Sequence, residues 1–271
     1  MDSVNGNHSA TPYVIALCHH KGGVAKTTTT LSLGACFVEQ HIETLMIDLD
    51  PQANLTAGMG LNPAEMRRSA AGVLLGNGRL IKASLETSVP GLDIVPSNAD
   101  MLAVAQYLKT RPRYEYLLRD SLVGAELAHY QVVLVDCPAA LGPLTLNALT
   151  AANLVIVPTQ CEYFSTQGLN SVMKLINLVR ARTNPGLTFR LLVTMFDQRG
   201  QQHSRVLAYL QERFANSLLQ TMIGVDGKLR ESQLAGKPIT LHAHSSRGTQ
   251  HYRQLAEELL IYVQRRIPQA A

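Results

Sequence analysis

The chain has 271 residues, of which 46% are hydrophobic and 16% are charged. This composition excludes an intrinsically disordered chain, and the length suits one large α/β domain or a tightly fused pair. The four cysteines stand far apart without CxxC spacing, which argues against a disulfide framework or a zinc site. No apolar run reaches the ~18 residues that span a bilayer, and the polar N-terminus lacks the apolar core of a signal peptide. We therefore expect a cytoplasmic protein.

Short β-branched runs bounded by Gly, Pro or Asp predict buried strands at 13–18, 44–48, 92–95, 132–136, 154–157, 189–194 and 219–223. Apolar residues at intervals of three and four predict helices at 26–39, 99–109, 114–128, 166–182, 203–215 and 247–266. Strands that are apolar on both faces and alternate with helices indicate an α/β fold, a mostly parallel central sheet with helices on both faces. We expect 1–11 to be a disordered tail, 12–271 to form a single domain and 60–90 to be its least regular stretch.

The strongest motif begins where the first predicted strand ends. It reads His20-Lys21-Gly22-Gly23-Val24-Ala25-Lys26-Thr27-Thr28 and is followed by a helical pattern. A glycine-rich turn between a strand and a helix points backbone N–H groups at an anion, and the helix N-terminus adds partial positive charge. Lys26 is placed to reach the β- and γ-phosphates of a nucleotide, and the Thr27 hydroxyl to bind Mg²⁺. The motif departs from GxxxxGK[ST] at Ala25, which stands where the pattern has its second glycine.

Carboxylates follow two other predicted strands. Asp48 and Asp50 end the second strand, and Asp136 ends the fourth. Because the carboxyl ends of parallel strands lie at one edge of a sheet, we expect these side chains around the phosphate loop. Oxygen ligands suit Mg²⁺, which keeps several waters and is usually held through phosphates and one or two carboxylates. The pattern predicts a site for a phosphorylated nucleotide and Mg²⁺.

Several separated motifs resemble one family. The segment Lys21-Gly22-Gly23-x-x-Lys26-Thr27-Thr28 resembles the deviant Walker A motif of the ParA/MinD superfamily, and DLDPQAN (48–54) with DCPAALGPLTLNALTAA (136–152) resembles its ParA (Soj) branch. Similar motifs continue in order as PTQCEYFSTQGL (158–169), TMFDQR (194–199), LAGKPI (234–239) and SRGTQHYRQLAEEL (246–259). The resemblance implies a P-loop NTPase fold and a partitioning ATPase that uses ATP and Mg²⁺. It also implies a homodimer that forms with ATP, binds double-stranded DNA without sequence preference, and is reset by hydrolysis.

The resemblance assigns roles residue by residue. Lys21 matches the signature lysine that reaches across the dimer to the partner's nucleotide, and Lys26 matches the P-loop lysine of the same subunit. Asp50 matches the carboxylate that orients the attacking water. The residues matched to the metal, directly or through water, are Thr27, Asp48 and Asp136. The residues matched to other phosphate contacts are Gly22, Gly23, Val24, Ala25 and Thr28.

Two features leave parts of this site open. If φ of Ala25 is negative, its methyl group is harmless and nucleotide binding should survive. The family holds adenine between the loop after the TMFD strand, here Met195 and Asp197, and a later loop that often reads Pro-Arg-Asn. That later loop is 223–227 here and has neither the Pro nor the Arg, so its side-chain contacts do not transfer.

Positive charge is concentrated in the last third of the chain. Residues 1–179 contain 11 Lys and Arg against 14 Asp and Glu, a net charge of −3, whereas residues 180–271 contain 13 against 6, a net charge of +7. Such a bias favours a polyanionic partner. The positions that match the family's DNA contacts are Lys228, Lys237, Arg247 and Arg253, with Arg230 as a neighbour. No zinc finger or added helix-turn-helix is evident, which favours non-specific DNA binding.

Alternative functions remain open at this stage. A MinD-like ATPase that docks on membrane would need a basic amphipathic helix beyond the folded body, and Pro268 breaks the helical pattern near the last residue. Another alternative is a ParA-like protein that positions a protein cargo on the nucleoid, and a metabolic amide- or ring-forming synthetase would need a separate substrate pocket. The expected partners are a second copy, DNA and a ParB-like protein that stimulates hydrolysis, with no membrane. The expected location is the cytoplasm, on the nucleoid.

Overall fold

A computed structural model describes residues 11–76, 78–162, 165–197 and 199–264, apart from the side chains of 165–167. Of the tail expected at 1–11, residues 1–10 lie outside the described residues. The end of the helix predicted at 247–266 also lies outside them, since the described part of that helix ends at Gln264.

The described residues form one seven-stranded sheet. Its strands are β1 (Tyr13–Leu17), β2 (Thr44–Asp48), β3 (Leu85–Glu86), β4 (Leu92–Val95), β5 (Val132–Asp136), β6 (Leu154–Gln160) and β7 (Thr188–Thr194). Their order across the sheet is β3-β4-β2-β5-β1-β6-β7, and each pair is parallel apart from β3 with β4. The central strand β1 is buried throughout, as an apolar strand covered on both faces must be. The predicted mostly parallel sheet is confirmed.

Helices cover both faces of the sheet. They are α1 (Lys26–Glu39), α2 (Asn54–Gly58), α3 (Ala70–Leu75), α4 (Leu80–Ala83), α5 (Asp100–Tyr107), α6 (Leu117–Ser121), α7 (Pro143–Ala151), α8 (Ser165–Arg182), α9 (Gln201–Phe214), α10 (Gly227–Leu234), α11 (Ile239–His242) and α12 (Arg247–Gln264). Alternate residues of β1 enter two separate cores. Val14 and Ala16 pack with residues of α5, α7 and α8, and Ile15 and Leu17 pack with residues of α1 and α12.

Two predicted elements are wrong. Residues 219–223 form no strand, because the carboxylate of Glu258 in α12 accepts the backbone N–H groups of Gln220 and Thr221 (2.8 and 2.9 Å). The segment keeps only scattered bonds to β7, such as Ile223 N–H to the Val193 carbonyl (2.9 Å).

The helix predicted over 114–128 is also wrong. It is broken into a 3₁₀ turn at Tyr114–Tyr116, α6, and a second 3₁₀ turn at Ala125–Leu127. The break falls at Gly124, whose φ of 147° and ψ of 148° only glycine adopts readily. Among the described helices, none is long and apolar enough to cross a membrane.

Candidate nucleotide site

The glycine-rich loop joins the end of β1 to the start of α1 at the carboxyl edge of the sheet. Gly22 and Gly23 are exposed, and a Cβ added at either would meet no atom within 4 Å. Gly23 has a φ of 74°, a left-handed conformation that glycine adopts without cost. The loop therefore leaves open space above its backbone, as an anion-binding cradle requires.

Ala25 differs from the sequence-based expectation. Its φ is 69° and its ψ is 30°, so the residue before α1 is left-handed rather than negative in φ. The condition under which its methyl group would be harmless is not met. Left-handed backbone costs an alanine roughly 1–2 kcal/mol, a strain that glycine at this position would avoid.

The two lysines of the loop occupy different environments. Lys26 is 7% exposed, and its Nζ donates to the carbonyl of Lys21 (3.3 Å). The side chain of Lys21 reaches the surface, where its Nζ pairs with Glu162 Oε2 (2.6 Å) and donates to Gln160 Oε1 (3.2 Å). Gln160 also donates through Nε2 to the Gly23 carbonyl (2.9 Å) and so braces the loop from the end of β6. Neither Gln160 nor Glu162 was predicted from the sequence to contact this loop.

Asp136 lies beneath the loop. It is fully buried and accepts hydrogen bonds from the hydroxyls of Thr27 (2.7 Å, to Oδ2) and Thr30 (3.4 Å, to Oδ1). Burial, followed by the nearby charge of Asp48, raises the pKa of Asp136 to about 8. A divalent cation beside Thr27 would offset both effects, so this pair fits an Mg²⁺ site.

Asp48 organises the next loop. It is buried, and its carboxylate accepts the Asp50 N–H (3.0 Å), the Thr56 N–H (2.9 Å) and the Thr56 hydroxyl (2.7 Å). Burial raises the pKa of Asp48 to about 6, although the bonds from Thr56 oppose that rise. These bonds hold the backbone of Asp50, whose own carboxylate accepts the Gln52 N–H (3.0 Å). No feature of the sequence had pointed to Thr56.

The loops enclose a cleft of about 740 Å³. The predicted nucleotide and catalytic residues that line it are Gly22, Gly23, Ala25, Lys26, Thr27, Thr28, Asp50 and Met195. The segment 223–227 borders the same cleft. Val24 is buried, and its carbonyl accepts the Thr194 hydroxyl (3.1 Å). Asp197 borders a neighbouring cavity instead, and its carboxylate pairs with Arg199 (2.9 Å).

Within the described ranges, no group of three or more His, Cys, Asp or Glu side chains is placed to hold a metal ion. A metal at the cleft would therefore depend on Thr27, phosphate oxygens and water, with carboxylates behind them. This donor set is the one that Mg²⁺ usually takes in nucleotide sites.

The predicted DNA contacts divide into two kinds. Lys228, Arg230, Lys237 and Arg247 are exposed, and Lys228 pairs with Glu231 (2.7 Å). Arg253 instead forms two hydrogen bonds with the carboxylate of Glu39 in α1 (2.7 and 2.9 Å) and one with the His244 carbonyl (3.1 Å). These bonds join α1 to α12, so the Arg253 guanidinium is engaged within the subunit.

Comparisons with known proteins agree with this site. A family model described as an AAA domain matches residues 13–189. Chromosome partitioning protein ParA of Caulobacter vibrioides (strain NA1000 / CB15N) is 36% identical over 255 residues, which cover 93% of this chain and 96% of that protein. Sporulation initiation inhibitor protein Soj of Bacillus subtilis (strain 168) is 34% identical over 247 residues, covering 91% and 97%.

A solved structure is similar over nearly its whole length. Cobyrinic acid a,c-diamide synthase of Mycobacterium smegmatis, with a bound ATP analog and magnesium, has a TM-score of 0.82 and 35% identity, covering 96% of this chain and 100% of that one. Fold and phosphate loop together define a P-loop ATPase. The chain belongs to the ParA/Soj family of partitioning ATPases, as its motifs had indicated.

Proposed function

We propose that this chain is an ATP-dependent DNA-partitioning ATPase that converts ATP to ADP and phosphate. ATP joins two subunits face to face, the dimer binds duplex DNA without sequence preference, and hydrolysis separates the subunits again. The observation that carries the proposal is the convergence of Lys26, Thr27 and Asp50 on one cleft at the carboxyl edge of the sheet, with Asp136 bonded to Thr27.

The phosphate end of the cleft suits ATP. Lys26 and the open glycine-rich turn would bind the phosphates, and Thr27 would hold Mg²⁺, with Asp48 and Asp136 acting through water. The metal supplies neutralisation of the phosphate charge. We assign Asp50 to orient the attacking water, because a hydrogen bond to Asp48 fixes the backbone of Asp50.

Lys21 is the residue that would link the nucleotide to assembly. Its side chain is 39% exposed where it pairs with Glu162, and we assign its ammonium to the nucleotide of a second subunit rather than to its own cleft. A lysine donated across the interface adds positive charge only when two ATP-loaded subunits meet, so nucleotide state is read out as dimerisation.

DNA binding is assigned to four exposed basic side chains, those of Lys228, Arg230, Lys237 and Arg247. None of them belongs to a motif that reads base edges, so the contacts are to phosphates. Dimerisation doubles their number, and each phosphate contact adds to the salt-dependent part of the affinity.

The same proposal includes a ParB-like partner at the dimer groove that stimulates hydrolysis, a location on the nucleoid in the cytoplasm, and a single folded domain over 12–271. The cargo is DNA in the first instance, with a protein assembly as the alternative. No membrane partner is included.

A second candidate is amide formation, favoured by the name of the mycobacterial neighbour. Such a reaction would use ATP to activate a carboxylic acid and would need an additional acid-binding pocket. Phosphate release that rises with a carboxylic acid and ammonia, but not with DNA, would favour this candidate.

The test of the switch is Lys21→Ala, with Lys82→Ala as the control at an exposed lysine of α4. We expect Lys21→Ala to abolish ATP-dependent dimers and to reduce phosphate release by at least about tenfold, because one charged group at the transition state is lost. Lys82→Ala should behave as wild type. Normal dimers and turnover in Lys21→Ala would refute the assignment.

A further inference from the structure

Helix α10 borders the nucleotide cleft and also carries exposed basic side chains that we assign to DNA. Its residues Leu229, Arg230 and Gln233 line the cleft. Two of the assigned bases, Lys228 and Arg230, are on the same short helix. A shift of α10 therefore moves the wall of the cleft and part of the basic surface together.

One end of α10 is bonded to the phosphate loop. Gln233 donates through Nε2 to the Thr28 hydroxyl oxygen (2.8 Å). A threonine hydroxyl that accepts one hydrogen bond still carries its own proton, which here is free to be donated to a phosphate oxygen. Hydrogen bonds in series polarise one another. A nucleotide phosphate that accepts a hydrogen bond from the Thr28 hydroxyl therefore strengthens the bond from Gln233 to Thr28.

The other end of α10 is bonded to α12. Asp226 Oδ1 accepts the Lys228 N–H (2.9 Å) and caps α10, and Asp226 Oδ2 accepts the Gly248 N–H (2.7 Å) in the first turn of α12. Burial acts to raise the pKa of Asp226, but the bonds from Gly248 and Lys228 outweigh it and lower that pKa. Gly248 directly follows Arg247. The ionised carboxylate of Asp226 therefore links the backbone of α10, which carries Lys228 and Arg230, to the backbone next to Arg247.

The chain after α10 is fixed in place. Gly236 has a φ of 63°, and a Cβ added there would lie 2.7 Å from the Cα of Gly60, just beyond α2. This close backbone contact places the C-terminal end of α10 against the end of α2. The bonds of Gln233 and Asp226 join α10 at its two ends to the phosphate loop and to α12.

We propose that α10 couples the phosphate loop to the DNA surface, with Gln233 as the positioning residue at the loop and Asp226 as the positioning residue at the surface. Bound ATP tightens the Thr28–Gln233 bond and thereby holds Lys228, Arg230 and Arg247 in one arrangement. The inference rests on the proposed function, because it names how nucleotide state controls DNA affinity.

The test uses two variants and a matched control. Gln233→Leu removes the bond to Thr28, and Asp226→Asn leaves one acceptor oxygen for two backbone donors. Glu258→Gln is the control, because Glu258 likewise accepts two backbone N–H groups, those of Gln220 and Thr221, but forms no bond to either end of α10. The readouts are the ratio of duplex affinities in ATP and ADP and the hydrogen exchange of the Gly248 amide with and without an ATP analog and Mg²⁺.

We expect the ATP-to-ADP affinity ratio to fall by about tenfold in Gln233→Leu and Asp226→Asn, a typical size for coupling between two sites. Glu258→Gln should keep the wild-type ratio even if it melts at a lower temperature. ATP analog should slow exchange at Gly248 in the wild type but not in the two test variants.

A wild-type ratio in both test variants, or an equal loss in Glu258→Gln, would overturn the coupling while leaving the proposed function intact. A wild-type protein whose DNA binding ignores ATP would instead overturn the proposed function. In that case, slowing at Gly248 that is lost in Asp226→Asn would still support the coupling through α10, and unchanged exchange would overturn it.

Discussion

Ala25 and Gly23 both hold left-handed backbone in the phosphate loop, with φ values of 69° and 74°. Only the glycine does so without strain. We predict that Ala25→Gly raises the free energy of unfolding by roughly 0.5–1 kcal/mol, because the relief of strain exceeds the added entropy of the unfolded chain. Urea unfolding measures the difference.

The control for that substitution is Ala35→Gly in the buried interior of α1, where φ is helical. There the same change should lower the free energy of unfolding by about 1 kcal/mol, since glycine is a poor helix former. A lowered urea midpoint for Ala25→Gly would show that the left-handed conformation is not strained.

His19 gives the loop a pH dependence. It is fully buried, its Nδ1 accepts the Lys21 N–H (2.9 Å), and its Cε1 would lie 2.9 Å from a Cβ at Gly168 of α8. Burial, then the charge of Lys26, lowers the pKa of His19 from 6.5 to about 4. Below about pH 6.5, His19 is protonated in the unfolded chain but stays neutral in the folded chain. The free energy of unfolding therefore falls as pH falls toward about 4.

His19→Asn keeps a side-chain oxygen for the Lys21 N–H and removes the titration. We predict that wild type loses about 2 kcal/mol more unfolding free energy than His19→Asn between about pH 7 and about pH 5. Urea unfolding at the two pH values gives both differences. Equal losses in the two proteins would contradict the lowered pKa.

At this scale, local chemistry predicted the loop and its carboxylates, because glycines, lysines and strand-end aspartates carry their own signal. Gln160, Thr56 and Gln233 carried none. Gln160 meets Gly23 across 137 positions of chain, and Gln233 meets Thr28 across 205. Such partners are set by the packing of distant elements, which no local pattern encodes.

Helix α12 carries two arginines with different surroundings. Arg247 is exposed and no ion pair of the described residues includes it, whereas Arg253 is bonded to Glu39 and His244. We predict that Arg247→Gln weakens duplex binding and lowers the salt slope by about one unit per subunit. Arg253→Gln should leave the slope unchanged and lower the melting temperature.

Titration of a fluorescent duplex at several salt concentrations measures the slopes, and thermal unfolding measures the second effect. The two substitutions remove the same charge from one helix, so each is the control for the other. Equal slopes for wild type and Arg247→Gln, or a slope that falls in Arg253→Gln, would reverse the assignment of the two side chains.

Secondary-structure elements were predictable where every residue of the element is buried. Strands β1, β2 and β5 are buried on both faces and read as continuous apolar runs. Helix α7 was not predicted, because its apolar residues are spread around the helix and do not form one apolar face. The segment 219–223 has the composition of a strand, but a carboxylate of α12 accepts the Thr221 N–H, which a strand would give to β7, together with the N–H of Gln220.

For the whole molecule, charge is distributed so that assembly controls affinity. One subunit has four exposed Lys and Arg side chains that we assign to DNA binding, and a dimer has two such sets. By the usual relation between phosphate contacts and salt, the dimer's slope approaches about −7 if every base engages, against about −4 for one subunit. The steeper slope is a property of the pair.

The most direct test of this account is binding to a duplex of arbitrary sequence with Mg²⁺ and ATP, ADP or no nucleotide, at low and moderate salt, with oligomeric mass read in parallel. The account predicts binding confined to ATP, rising with the dimer and falling steeply with salt. Binding that ignores the nucleotide, or no binding in any state while ATP is still hydrolysed, would contradict it.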